Sequence, residues 1–105
     1  MKRVINGKLY NTETAEEVFT WENHYYRNDF HYCEETLYRT QKGSFFVAGE
    51  GGPMSKYAVP VGSNGSGGEN GLEVLSDAEA LAWLEEKEAD VETIERVFPG
   101  RIEEA

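Results

Sequence analysis

Short apolar runs separated by turn residues fill the first 75 positions of this chain, and apolar residues recur at helical spacing after them. Asn6-Gly7 tolerates the positive φ angles of a type I′ turn and predicts a small hairpin over residues 4–10. Gln41-Lys42-Gly43 predicts a second tight turn, within a hairpin over residues 30–48. Further short strands are expected near residues 57–61 and 72–75.

Two helices are predicted after residue 75. Ser76 and Glu79 have the spacing of a capping box, which marks the first helix start. One continuous helix over 77–98 would place Glu88 and Glu95 inside its apolar stripe, so we expect a break near Ala89, with Asp90 capping a second helix. The apolar positions are Ala80, Leu81, Trp83 and Leu84, then Val91, Ile94, Val97 and Phe98, before Pro99-Gly100.

Other segments carry weaker signals. Thr14 and Glu17 also fit a capping box, which predicts one or two helical turns over residues 14–19. Residues 62–71 contain five glycines in ten positions, a composition typical of a flexible loop. The sequence therefore predicts one α+β domain over residues 1–105. A small antiparallel sheet would carry two packed C-terminal helices, followed by a frayed tail at 99–105.

The net charge of the chain limits the kinds of partner that it can bind. Twenty acidic residues face ten basic ones, for a net charge of −10, and residues 76–105 alone carry ten acids against three bases. Such a domain repels nucleic acid and anionic membranes and attracts basic protein surfaces. The single cysteine, Cys33, allows no internal disulfide, and no apolar run approaches the length of a membrane span. A cytoplasmic protein is expected.

Acidic and aromatic side chains are the candidate partner-binding residues. In a continuous helix Glu85, Glu88, Glu92 and Glu95 would fall within an arc of about 80°, which could offer a basic groove several anionic contacts. The alternative is a solvated face that only keeps the protein soluble. Tyr and Trp are typical interface anchors. The full candidate set is Glu34, Glu35, Glu85, Glu86, Glu88, Glu92, Glu95, Trp21, Tyr25 and Tyr26.

No pattern in the chain predicts catalysis or a cofactor. His24, His31 and Cys33 do not have a recognised zinc spacing, although a metal-stabilised domain stays open as an alternative. The glycines of 49–53 with Lys56 downstream lack the Gly-Lys-Ser/Thr ending of a phosphate loop. A sharp strand connection, with glycine supplying positive φ, is the expected role of that segment. Two acids beside Cys33 should raise the pKa of its thiol, which disfavours a nucleophilic role.

Several phrases of the chain together resemble small, largely uncharacterised proteins encoded by phages, prophages and other mobile elements of Gram-positive bacteria. The phrases are Ile5-Asn6-Gly7-Lys8, Tyr10-Asn11-Thr12, Asp29-Phe30, Glu34-Glu35-Thr36-Leu37-Tyr38, Phe45-Phe46, Gly49-Glu50-Gly51-Gly52-Pro53-Met54-Ser55, Tyr57-Ala58, Leu75-Ser76 and Ala78-Glu79-Ala80 with Ala82-Trp83.

The resemblance implies a context rather than a set of functional residues. Mobile elements carry many short proteins that block host defence, so the expected function is an anti-defence inhibitor, anti-CRISPR-like, in the cytoplasm of a bacterial host. It would bind a basic, nucleic-acid-handling protein, with nucleic-acid mimicry as one mode of binding, and would not contact nucleic acid itself. The alternative is a non-enzymatic interaction module or homodimeric structural module of a phage or mobile element.

Overall fold

Eight strands and two helices make up the described part of the fold. The computed structural model describes residues 1–61 and 65–105. The strands are β1 (Lys2–Ile5), β2 (Lys8–Asn11), β3 (Glu16–Glu22), β4 (Cys33–Arg39), β5 (Phe45–Gly51), β6 (Val59–Val61), β7 (Gly65–Gly67) and β8 (Glu69–Leu75), and the helices are α1 (Asp77–Glu86) and α2 (Val91–Val97).

A four-stranded antiparallel sheet forms the centre of the molecule. Its strand order is β3-β4-β5-β8, while β1-β2 and β6-β7 form separate two-stranded antiparallel pairs. The registers align Trp21 with Glu35, Glu35 with Gly49, and Gly49 with Gly71, so these four residues form one row across the sheet. This row positions the site described below.

Alternate residues of each strand point to opposite faces of the sheet. Both faces carry apolar side chains, and each face is covered by another element. On one face, Ala80 and Leu84 of α1 pack in a core with Leu37 and Val47 of the sheet. The end of α2 joins the same core, since Phe98 stacks on Phe45 with ring centroids 5.2 Å apart. The result is a three-layer α+β domain.

The β1-β2 hairpin covers the other face through aromatic packing. Tyr10 meets Phe46 edge-on at 5.5 Å between ring centroids, and Tyr38 stacks on the same ring at 5.1 Å. Phe46 is fully buried, and Leu72 belongs to the same cluster.

Local signals in the sequence predicted most elements correctly. The α+β class, both hairpins, the two helices and the break between them are confirmed. Asn6 and Gly7 both have positive φ, at 52° and 76°, as the type I′ turn requires. The second hairpin is shorter than predicted, because β4 begins at Cys33 and the backbone N–H of Tyr32 still bonds to Asp29 in the preceding turn.

Two predictions of secondary structure are wrong. Residues 14–19 do not form a helix, because Thr14 donates its hydroxyl to the Asn11 carbonyl instead of capping, and β3 pairs with β4 from Glu16 onward. The predicted flexible loop at 62–71 contains β7 and the start of β8. Residues 62–64 of that loop lie outside the described residues.

Candidate functional site

Both helix starts are fixed by capping side chains. Ser76 Oγ accepts the backbone N–H of Glu79 at 3.1 Å, and the Glu79 carboxylate accepts the Ser76 N–H at 2.8 Å. Asp90 accepts the backbone N–H of Thr93 at 3.1 Å and its hydroxyl at 2.8 Å. These bonds satisfy N–H groups that a helix start leaves without partners.

The helices bury their apolar sides and expose a set of glutamates that we call the acidic surface. Ala80, Leu84 and Val97 face the core. The five predicted glutamates of this segment are all exposed and define the acidic surface: Glu85, Glu86, Glu88, Glu92 and Glu95. They lie on two helices and the turn between them, so the single-helix arc does not form.

The turn between the helices holds Glu88 in a conformation that favours glycine. Its φ is 55°. The Glu88 N–H bonds to the Glu85 carbonyl at 3.1 Å and the Ala89 N–H to the Leu84 carbonyl at 3.0 Å. This is the Schellman arrangement, whose left-handed position is usually glycine. The chain therefore carries a glutamate at a position where the backbone conformation alone would favour glycine.

Two of the three cations of the C-terminal segment have their partners outside the acidic surface. Arg96 pairs with Glu16 of β3 at 2.7 Å, and the Arg101 guanidinium lies 5.8 Å from the Phe98 ring centroid. Lys87 is only 12 % exposed and contacts Glu86 at 3.4 Å. That contact is the one ion pair that reaches the acidic surface within the described ranges 1–61 and 65–105.

A buried carboxylate draws Lys87 inward. Glu35, in the middle of β4, is 1 % exposed. Its Oε2 accepts the Lys56 ammonium at 2.8 Å and the Tyr57 hydroxyl at 2.6 Å, while Lys87 Nζ lies 3.4 Å from Oε1. Lys87 Nζ also lies 3.8 Å from the ring centroid of Trp21, a cation–π contact. We call these five residues the Glu35 cluster.

The Glu35 cluster keeps its carboxylate ionised. Burial alone would raise the pKa of Glu35, but hydrogen bonds from Lys56 and Tyr57 and the charges of Lys56 and Lys87 hold the pKa below its usual value. Burial and the bond to Glu35 raise the pKa of the Tyr57 hydroxyl, so Tyr57 stays protonated and donates. Oε1 has no hydrogen bond among the described residues, which leaves Lys87 as its electrostatic partner.

Two glycines make room for Tyr57 over the sheet. A Cβ on Gly49 would overlap the Tyr57 hydroxyl, and a Cβ on Gly71 would lie 3.2 Å from its ring. Gly49 lies in β5 and Gly71 in β8, so both allow the close approach of Tyr57 to the sheet. Gly49, Gly51 and Gly52 have no positive φ, so that part of the sequence prediction is wrong. Lys56 in this segment bonds to Glu35, a carboxylate rather than a phosphate.

The other predicted partner-binding residues have mixed positions. The prediction that Glu35 binds a partner is wrong, because the buried side chain cannot reach a partner at the surface. Glu34 is partly exposed and accepts hydrogen bonds from Tyr32 and Arg27. Trp21 is partly covered by Lys87.

The two predicted tyrosines lie in the loop between β3 and β4. Tyr25 is 49 % exposed and stacks on His31, while Tyr26 is 85 % exposed. Asn23 donates to the His31 carbonyl at 2.7 Å and follows Trp21 by two residues. The loop therefore directly follows the strand that carries Trp21.

The alternative metal site finds no support in the geometry. No group of three or more His, Cys, Asp or Glu side chains within residues 1–61 and 65–105 could hold a metal ion. His31 contacts Asp29 at 3.2 Å, and Cys33 is buried. Burial, followed by the charge of Glu35, raises the pKa of the Cys33 thiol, in the direction the sequence predicts.

We expect Glu35→Gln to lower the free energy of unfolding by about 3 kcal/mol at pH 7, because it leaves Lys87 without its buried partner. The native pKa of Glu35 is lowered, so its contribution is complete above the unfolded value near 4.5 and is lost as pH falls through the native value. Urea unfolding from pH 7 to pH 3 should show the difference from wild type shrinking. The control Glu50→Gln removes a surface partner of Arg27 and should cost less than about 1 kcal/mol. Equal costs for the two variants would contradict this assignment.

Glu88→Gly should raise the free energy of unfolding by about 1 kcal/mol, since glycine adopts positive φ without steric cost. Glu88→Ala keeps the strained backbone and loses the same charge, so it should give no such gain. Thermal and urea unfolding of both variants measure this. A gain in the alanine variant equal to that in the glycine variant would show that charge, not backbone conformation, sets the effect.

Neither helix described in the structure has the length and apolar character needed to cross a lipid bilayer. Comparisons with protein-family models, with curated proteins and with solved structures give no match to this chain. The functional argument therefore rests on the geometry of the acidic surface and of the Glu35 cluster beneath it.

Proposed function

We propose that this protein binds a cationic protein surface through its acidic surface and acts as an anti-defence inhibitor of a nucleic-acid-handling protein. The observation that carries the proposal is the direction of the neighbouring cations. Arg96 and Arg101 turn toward Glu16 and Phe98, and Lys87 is shared between Glu35 and Glu86 at 3.4 Å each. Four of the five exposed carboxylates of the acidic surface therefore form no ion pair within residues 1–61 and 65–105, and only Glu86 contacts a cation.

Uncompensated carboxylates suit a surface that normally binds phosphates. Each gives a negative charge to Lys or Arg in a groove, and together they steer association. They carry no base edges, so binding would depend on charge and shape rather than on nucleotide sequence. The strained backbone at Glu88 supports a role for that side chain, because strain persists where function maintains it.

Exposed aromatics add contacts that charge alone cannot supply. Tyr25 and Tyr26 lie in the loop that directly follows the strand carrying Trp21. Aromatic anchors that lose water on binding often provide most of an interface's affinity, while surrounding charges set the rate and specificity. We assign the tyrosines the anchoring role and the glutamates the steering role.

The anti-defence context comes from the sequence resemblance to mobile-element proteins. In that context the targets would be CRISPR effector nucleases or restriction endonucleases, whose grooves carry Lys and Arg for nucleic acid. Binding would be stoichiometric and would exclude the nucleic acid by occupying its groove.

The test measures DNA cleavage by a panel of purified CRISPR effector nucleases and restriction endonucleases with this protein present. Equimolar protein should block at least one enzyme, and inhibition should weaken steeply between low and high salt. Replacing the five glutamates of the acidic surface with glutamine should raise the inhibitory concentration by about tenfold or more.

The matched control replaces five exposed glutamates elsewhere with glutamine, for the same change in net charge: Glu13, Glu17, Glu22, Glu69 and Glu73. This control should inhibit nearly as well as wild type. Equal weakening by both sets would show a nonspecific charge effect. If no enzyme in the panel is inhibited, the anti-defence proposal is wrong.

A homodimeric structural module is the second candidate, favoured by exposed apolar side chains at one end of the sheet. Tyr26, Phe30 and Met54 are 85 %, 64 % and 62 % exposed. The Met54 N–H bonds to the Phe30 carbonyl at 2.8 Å, so two of them lie on adjoining loops. A dimer formed there would persist at high salt, and light scattering at low and high salt separates it from the charge-driven function.

A further inference from the structure

A groove on the side of the sheet away from the helices carries the opposite charge to the acidic surface. It has a volume of about 690 Å³ and lies between the β1-β2 hairpin and the turn that joins β4 to β5. Lys8 lines it from the hairpin and Lys42 from the turn. Neither lysine pairs with a carboxylate anywhere in residues 1–61 and 65–105.

Five of the ten basic side chains form no ion pair within residues 1–61 and 65–105, and two of these five, Lys8 and Lys42, line this groove. Each of Arg27, Arg39, Lys56, Lys87 and Arg96 pairs with a carboxylate. The two unpaired ammonium groups give the groove a local positive charge, which favours an anionic occupant.

The groove runs along the open edge of β2. Four successive residues of β2 line it, from Lys8 to Asn11, and no residue of β1 does. Because successive side chains of a strand point to opposite faces, a surface touching all four must follow the strand's edge. No strand described in the structure pairs with that edge.

The hairpin register leaves the backbone N–H and C=O of Leu9 at this edge. The Thr12 N–H bonds to the Met1 carbonyl at 3.0 Å, and hydrogen-bonded pairs alternate along antiparallel strands. In this register Leu9 opposite Val4 is a pair without mutual hydrogen bonds. The N–H and C=O of Leu9 therefore point away from β1, and no other described hydrogen bond uses them. The Leu9 side chain is 58 % exposed beside them.

We propose that this groove is a docking site for an extended acidic segment of a partner protein, which adds a strand to the edge of β2. Leu9 would exchange two backbone hydrogen bonds with the segment, and Lys8 and Lys42 would contact its carboxylates. Strand addition takes affinity from main-chain bonds and specificity from alternate side chains. A segment with alternating acidic and apolar residues fits, because the lysines and Leu9 recognise different side chains.

A polypeptide fits this surface better than the other anions. A long nucleic acid would be repelled by the rest of this acidic chain. The open edge offers the N–H and C=O of Leu9, which a peptide backbone complements and a phosphate does not. The same edge of a second copy is disfavoured, since Lys8 and Lys42 would meet like charges. The docking site does not depend on the proposed inhibitor function.

The probe is an acetylated, fluorescein-labelled octapeptide that alternates glutamate and valine, titrated with the full chain while anisotropy is recorded at low salt. We expect saturable binding. The Lys8→Glu/Lys42→Glu variant should bind about tenfold more weakly. Arg27→Glu/Arg101→Glu makes the same change in net charge at two exposed residues that do not line the groove and should bind like wild type. Amide exchange at Leu9 should slow when the peptide binds.

Two further peptides test the backbone contacts without changing the protein. Each carries N-methyl groups on alternate residues, in one register or the other, and at least one should fail to bind. The proposal is overturned if both methylated peptides bind like the parent, or if the control and groove variants weaken equally. Displacement by inorganic phosphate as effective as by unlabelled peptide would indicate a simple anion site, and absence of binding would also overturn it.

Discussion

The ionised carboxylate of Glu35 is the interaction on which the rest of the structure depends. A buried charge is costly unless it is paired and hydrogen-bonded. Lys56 and Tyr57 reach Glu35 from the segment between β5 and β6, and Lys87 reaches it from the end of α1. One carboxylate thus joins the sheet, the covering loop and the helical layer. It also accounts for Gly49, because only glycine lets the Tyr57 hydroxyl approach so closely.

The same interaction explains the distribution of charge at the surface. Because Lys87 is shared with the buried Glu35 and Arg96 pairs with Glu16 of β3, most carboxylates of the C-terminal layer are exposed without a cation beside them. The opposite face of the sheet presents Lys8 and Lys42 beside an open strand edge. One small domain therefore carries two separate surfaces of opposite charge, and each fits a different class of protein partner.

The sequence predicts correctly the turns and helix starts that depend on residues close together in the chain. Asn6-Gly7, the Ser76 capping box and the Asp90 cap act within a few positions, and each formed where expected. The prediction for 14–19 failed because strand pairing with β4 overrides a weak local capping signal. Burial of Glu35 could not be predicted, since its partner Lys56 lies 21 residues away and acids are seldom buried.

Carbon-13 NMR titration of the Glu35 carboxyl group tests the central claim most directly. If Lys56, Tyr57 and Lys87 hold the carboxylate ionised, its pKa in the folded protein lies below the ordinary value of 4.5. Replacing Lys87 with methionine should raise that pKa, because one of the two neighbouring positive charges is removed. A folded-state pKa above 4.5, or one unchanged by the loss of Lys87, would contradict the account and leave the outward display of carboxylates without its cause.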